Sequence, residues 1–555
     1  MRFLISTTLL LLATVLLPAR DITLQPPLKG ELRLSANFGE LRPNHFHSGL
    51  DFKTGGETGK PILAVADGYV SGVEVSPWGF GRAVYVTHPS LGIVTVYGHL
   101  ESFRDDIDRA TRAEQYRRQT FDIDLTWGSD MFPVKAGDEI GRSGNAGSSG
   151  GPHLHFDVRD LATGDPMDPL PFFKSKIPDT EKPYWRQLFL YPDRNRGVVK
   201  GGYKPVVIAK GETPRFEAWG RVFPAIKCND AMSGSSNIYG VKTLLLIVDG
   251  QPVMGRAIDR FSLASTRAIN TLVDYGRLMD GGGWAEWSHI PLTAPLSPLT
   301  GFTPAMGAVN INSERDYKCR WIMTDEHGNR ETVDFVIRGK RPETMPPYKA
   351  AGTLLRQGGY HTFHADGVCL ELDRDALADD AEVKFTTTPT SVDRTVGNIY
   401  TLTTGRFPLM TPARLTAIIP AGVANPAKAC IVAVSGGGIS GIETENDGTL
   451  LRAKLSRPGR YAIAIDTTAP TIKNVASGND GGYLAWRVTD DISGVDSYKV
   501  TIDDQWALAE LDGKNSLVEF KMDPTRWKRD ADHKAVITVT DATGNSATSS
   551  VSFRW

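Results

Sequence analysis

The stretch GPHLHFDVR, residues 151–159, sets His153, His155 and Asp157 at alternate positions with Leu154, Phe156 and Val158 between them. A period of two is that of a β-strand, so one face is apolar and the other carries two imidazoles and a carboxylate. That second face suits a metal ion. Two other short stretches carry histidine in patterned surroundings: FHSGLDF, where His47 and Asp51 flank Gly49 as H-x-G-x-D, and VYGHL, where His99 ends a strand. Six of the eleven histidines fall within the first 155 residues, which concentrates the chemistry there. Gly49 and its turn-forming neighbours argue against a helix, so the pattern differs from the helical H-E-x-x-H of many zinc proteases, which the chain lacks. A catalytic zinc takes three nitrogen or oxygen ligands from the protein and keeps a position for water, whose pKa it lowers to roughly 7. Two histidines and one carboxylate meet that count and leave two histidines over. One of these has a proton to take from the water, and the other an oxyanion to stabilise.

The elements that must hold these residues are short strands. Between residues 31 and 172, PILAVADGYVSGVEV, AVYVTH, IVTVYGHL, VKAGDEIG and PHLHFDVR alternate with turn residues and predict a compact all-β domain. One stretch differs: ESFRDDIDRATRAEQYRRQ pairs Asp105 with Arg109, Asp108 with Arg112 and Glu114 with Arg118 at four-residue spacing, which predicts an exposed helix.

Taken in order, RLSANFGELRPNHFHSGLDF, VYGHL and VKAGDEIGRSGNAGSSGGPHLHFDV resemble the catalytic domain of the lysostaphin-type zinc metallopeptidases, which cleave peptide bonds of bacterial cell-wall peptidoglycan. The resemblance covers about residues 31–172. It implies that His47, Asp51 and His155 bind one Zn2+, that His153 is the general base and that His99 stabilises the transition state. Every one of those positions is filled, whereas degenerate relatives that have lost ligands act as activators of other wall hydrolases. The helix after His99 is longer than in the simplest members and is expected beside the substrate groove.

Rival assignments are weaker. GSSGG at 147–151 satisfies G-x-S-x-G, but a nucleophile elbow at Ser149 needs a helix next, and Pro152 with an alternating strand follows instead. His45 lies two residues before His47 without the same spacing to Gly49 and Asp51. His88 ends a strand and is expected to be structural; His361 and His364 lack carboxylate support.

At 555 residues the chain exceeds a single core. Residues 1–19 combine Arg2 with an apolar run and predict a signal peptide, hence export to a periplasm or cell envelope. Lys plus Arg (62) nearly cancels Asp plus Glu (64), so no overall field favours nucleic acid. The expected organisation is all-β and multidomain: a zinc metallopeptidase domain at 20–175, a β-sandwich (immunoglobulin-like) module with an insertion at 176–345, a β-rich module at 346–466, and a C-terminal immunoglobulin-like β-sandwich at 467–555. The second and fourth share D-x-x-S-G (DAMSG at 230–234, DDISG at 490–494) and T-D-x-x-G-N (324–329, 540–545), which reads as one module used twice. In an oxidising compartment Cys228 would pair with Cys319 and Cys369 with Cys430, free thiols being the other option. The expected function is exported zinc-dependent cleavage of peptidoglycan cross-links or stem peptides, with envelope proteins as partners of the C-terminal modules. The rival is a non-catalytic envelope scaffold or activator. A structural zinc closes its shell with four protein ligands, and three plus two additional histidines favour catalysis.

Overall fold

The computed structural model describes residues 24–291, 300–302, 304–436, 438–479 and 481–555; the predicted signal segment 1–19 lies outside them. Nearly all regular structure is β-strand, and no described helix is long and apolar enough to cross a membrane.

The N-terminal fold is a nine-stranded antiparallel sheet backed by a three-stranded one. The strands that matter for the site are β1 (Leu34–Ala36), β2 (Leu50–Lys53), β3 (Ile93–Gly98) and β4 (His153–Asp160). β4 lies between β2 and β3, with His155 opposite Asp51 on one side and Gly98 on the other. Directly opposed residues share a face, so this register alone brings His155 and Asp51 together. The alternation expected from the sequence is present: Leu154, Phe156 and Val158 are fully buried in a core with Phe52, Tyr97 and Phe173.

The expected helix forms as α1 (Asp105–Arg118), with acids in its first turn, Arg117 and Arg118 in its last, and Glu114 paired with Arg118 at 2.8 Å. Those charges complement the helix dipole. It is less exposed than its composition suggested, because Ile107, Thr111 and Gln115, spaced four apart, are buried. None of its residues lines the cleft that holds His99 and His153. Tyr116 packs edge-on against Trp506 (5.3 Å between ring centroids) beneath the Arg526 guanidinium, so α1 meets the C-terminal module instead.

The following segment forms a ten-stranded sheet, residues 353–465 contribute a six-stranded and a five-stranded sheet around one core, and the C-terminal segment contributes two four-stranded sheets around another. The N-terminal fold and the ten-stranded sheet interlock: Phe38 and Phe46 belong to the latter's core, with ring centroids 5.2 and 4.9 Å from Phe261. All four cysteines are free thiols. The strands carrying Cys228 and Cys319 are separated by the strand Arg330–Gly339, and Cys369 and Cys430 sit in different sheets, so neither expected pair is formed.

Candidate metal centre

His47 Nε2, Asp51 Oδ1 and His155 Nδ1 converge: the contacts are 2.9 Å from His47 to Asp51, 2.9 Å from His155 to Asp51 and 3.1 Å between the imidazoles. Ligands at 2.0–2.2 Å from a tetrahedral zinc stand about 3.3–3.6 Å apart. The observed triangle is within a few tenths of an ångström of that, and all three residues are buried.

Neighbours leave one coordinating atom free on each ligand. The Nδ1 of His47 donates to the Asn37 carbonyl at 2.7 Å, leaving Nε2 toward the centre. The Nε2 of His155 donates to Asp157 Oδ1 at 2.6 Å, leaving Nδ1. Arg42 holds Asp51 Oδ2 at 3.1 Å, leaving Oδ1. Such outer contacts fix tautomer and ring orientation in metal sites. Asp157 is itself fully buried, held by Ser48 Oγ at 2.9 Å and by Arg159 at 2.6 and 3.0 Å. Gly49 makes this possible, since a β-carbon there would lie 2.2 Å from the Phe156 carbonyl and 2.6 Å from Asp157 Oδ1.

The electrostatics follow from burial and these partners. Burial alone would raise the Asp51 carboxyl, yet the His47 charge and hydrogen bonds from His153, His155 and His47 hold it well below the usual carboxylate range. Burial pushes His47 down. His155 is also buried, but the Asp157 and Asp51 carboxylates lift it to about 9. The donor set, two imidazoles and an ionised carboxylate with fixed tautomers, fits zinc.

His153 and His99 stand beside the triangle with ring centroids 4.7 Å apart; His153 Nε2 is 3.5 Å from Asp51 Oδ1. The Nδ1 of His153 donates to the Gly151 carbonyl at 2.8 Å, and the Nδ1 of His99 to the Ala146 carbonyl at 2.8 Å. With Nδ1 so engaged, Nε2 is the nitrogen left over on each ring. Burial, then the His155 and His153 charges, push His99 down to about 3. A hydrogen bond from His99 to an oxyanion thus requires that it first take up a proton. His99 has φ +60°, a left-handed conformation that turns the chain immediately after β3. Both histidines line an open cleft of about 460 Å3 with Arg42, Lys53 and the glycine loop 148–151.

The other histidines lie elsewhere. His45 is exposed, bonded to the Pro43 carbonyl. His88 is fully buried between the Asp67 carbonyl and Thr95 Oγ1. His361 contacts the Arg356 carbonyl. Ser149 Oγ donates to the Gly151 carbonyl at 2.9 Å, and the strand after it rules out an elbow. Sequence reasoning missed Arg42, Asn37, Ser48 and Arg159, and also Phe80, whose ring centroid is 4.9 Å from that of His155. It missed Glu40 too, pushed up to about 7 by burial despite Arg42. Asp157 was legible as the third polar residue of the strand; the others carry no spacing signal.

Comparison with known proteins gives two family matches: residues 45–115 match Peptidase family M23, and residues 353–466 match a Zu5-like domain. A DD-carboxypeptidase/endopeptidase Mpg of Neisseria meningitidis is 31% identical over 143 residues, 25% of this chain and 26% of that protein. An uncharacterized metalloprotease of Haemophilus influenzae is 32% identical over 163 residues, 28% of this chain and 27% of that protein. The chain thus spans about a quarter of the length of these curated relatives. Among solved structures, the catalytic domain of the antimicrobial peptidase lysostaphin from Staphylococcus simulans is 24% identical, covering 26% of this chain and 92% of that one, with a TM-score of 0.19.

Proposed function

Starting from the match of residues 45–115 to Peptidase family M23, we propose that this chain is an exported zinc-dependent endopeptidase of bacterial peptidoglycan peptides, of the lysostaphin type. The observation that carries the reading is the convergence of His47 Nε2, Asp51 Oδ1 and His155 Nδ1 beside His153 and His99, whose Nδ1 atoms are engaged by backbone carbonyls, in an open cleft. The name of the Neisseria relative supports a substrate with D-amino-acid junctions.

His47, Asp51 and His155 would hold one zinc, which when bound would supply Lewis acidity and the activation of water near neutral pH. His153 is the general base. Its Nδ1–H is tied to the Gly151 carbonyl, so Nε2 takes a proton from water in the cleft and passes it to the leaving amine. His99 stabilises the transition state from the cleft wall that it shares with His153, its ring held by the Ala146 carbonyl. Arg42 and Lys53 at the rim supply positive charge for the carboxylates of a peptide substrate. The modules beyond residue 175 position the domain in the envelope, contacting wall or envelope proteins.

Zinc content and rate separate these roles. His47→Ala and Asp51→Ala are expected to lose zinc and activity together. His153→Ala and His99→Ala are expected to retain one zinc per chain and lose about 100-fold or more in rate. A His153→Ala chain without zinc, beside a zinc-replete His155→Ala, would reverse the assignment within the pair.

A further inference from the structure

The second and fourth segments share more than a sequence pattern. Each opens with D-T-x-x-P (Asp179–Pro183, Asp466–Pro470), and each folds that aspartate onto the D-x-x-S-G and T-D-x-x-G-N loops. Asp179 Oδ1 accepts from Ser233 N and Oγ at 2.8 and 3.0 Å; Asp466 Oδ2 accepts from Ser493 N and Oγ at 3.1 and 2.6 Å. Asp325 is bonded by Asn329 N and Nδ2, each at 2.8 Å, and Asp541 by Asn545 N and Nδ2 at 2.8 and 2.7 Å. The asparagine amides then reach the Asp179 and Asp466 carbonyls. The geometry is one device made twice.

In each copy metal-ligating side chains crowd together, three aspartates in the second and two aspartates with a histidine in the first. The ligand atoms of Asp466, Asp490 and Asp541 lie within 4.8 Å of one another, as do those of Asp179, Asp325 and His327. Asp230 lines the same small void as the latter three. None of the six aspartates is ion-paired with a lysine or arginine among the described residues. Lys242, which lines the same void, is engaged by Asp168, Asp259 and Glu326. The independent sign is in the oxygens left over. Asp230 Oδ1 and Asp179 Oδ2, on residues only 3% and 8% exposed, are buried with no hydrogen-bond partner among the described residues; Asp490 Oδ1 is also occluded and unpartnered, on a residue that is itself only half-buried. A buried carboxylate oxygen without a donor is costly, and three carboxylates together compound the cost. Bonds from backbone and serine satisfy one oxygen of Asp179 and leave its other to face its neighbours.

We infer that Asp179, Asp230 and Asp325, and again Asp466, Asp490 and Asp541, are two binding sites for a hard divalent cation, calcium by their oxygen chemistry, separate from the zinc centre. Carboxylate and carbonyl oxygens are the ligands calcium prefers. Burial, with the charges of Asp325 and Asp179, raises Asp230 to about 8, a repulsion that a bound cation relieves. The positions give the sites a use. Asp179 lies just after Ile177, whose carbonyl receives a hydrogen bond from His327 Nε2 at 2.8 Å, and five residues before the strand Tyr184–Val199. Asp466 lies between the strands Gly459–Ile465 and Thr471–Ser477. Each cation would bind a connecting segment to two loops of the module it opens and so fix the angle between neighbours. The first site also abuts the zinc centre's surroundings, since Asn37, which holds His47 through its carbonyl, exchanges side-chain hydrogen bonds with Gly240 at 2.9 Å.

The test is calorimetric titration of the full chain, stripped with a chelator, with calcium chloride alone, followed by thermal unfolding. Two equivalents of calcium are expected, with Tm rising by roughly 5 °C or more at saturation. Asp325→Asn and Asp490→Asn should each remove one equivalent, and His47→Ala neither. Asp230→Asn keeps the shape but removes a charge; it should raise Tm in chelator and diminish the further rise with calcium. The inference is overturned if the folded chain binds no calcium up to about 10 mM, well above the weakest extracellular sites. It is also overturned if the asparagine variants keep both equivalents, if Asp230→Asn lowers Tm equally with and without calcium, or if zinc or manganese binds at these aspartates where calcium does not.

Discussion

Asp157→Asn tests whether the outer contacts prepare the metal ligands. The native carboxylate takes four hydrogen bonds with no exposed surface: His155 and Ser48 on Oδ1, and two from Arg159 on Oδ2. An amide of the same shape can offer one oxygen only. If that oxygen faces His155, the amide N–H groups oppose the Arg159 donors; if it faces Arg159, they oppose the His155 N–H. One buried donor is therefore unsatisfied in either orientation, at about 1–3 kcal/mol. The fixed tautomer and negative charge behind His155 are also weakened, which in metal sites costs about 10–100-fold in affinity, or roughly 1.4–2.7 kcal/mol. Zinc affinity is measured by competition with a chromophoric chelator at constant pH, with thermal unfolding of the stripped protein as control. The expected result is a Kd for zinc raised at least tenfold in a chain that still unfolds cooperatively. Zinc affinity within twofold of the parent would refute the argument.

Three further outcomes follow from the geometry. Gly49→Ala puts a β-carbon 2.2 Å from a backbone carbonyl, so zinc affinity should fall by an order of magnitude or more in the same competition assay. Arg256→Met leaves Glu286, fully buried and already pushed up by burial, without its cation; denaturant unfolding should show a loss of about 3–5 kcal/mol. His533, though buried, is raised by hydrogen bonds to Asp503 at 2.7 Å and the Lys528 carbonyl at 2.8 Å. Because its folded pKa exceeds the ordinary 6.5, its contribution is complete below about pH 6.5 and declines as pH rises through the folded value. The C-terminal module should therefore lose Tm as pH rises above about 6.5, and His533→Gln should flatten that slope.

The polar face of the 153–160 strand could be read directly from the sequence, because period-two alternation is a local property and the apolar partners Leu154, Phe156 and Val158 are indeed buried. Its pairing with Asp51 came through the family resemblance, since nothing local specifies that His155 stands opposite Asp51 across the sheet. The contacts that tune the ligands were hidden for the same reason. Arg42 and Asn37 reach the site from a hairpin and a loop whose placement depends on the neighbouring ten-stranded sheet, to whose core Phe38 and Phe46 belong. α1 was visible from its charges, but its partner, the C-terminal module nearly four hundred residues later, was not. The D-x-x-S-G and T-D-x-x-G-N repeat was visible as a pattern, and only the fold shows that the second copy gathers three carboxylates and the first two carboxylates with His327.

The most direct test of the central claim is release of new peptide ends from purified peptidoglycan by residues 20–555, with and without a chelator and after zinc is restored, the fragments being identified by mass spectrometry. The account predicts cleavage at peptide bonds that the chelator abolishes and zinc restores. Folded protein carrying one zinc per chain that releases no new ends would contradict it.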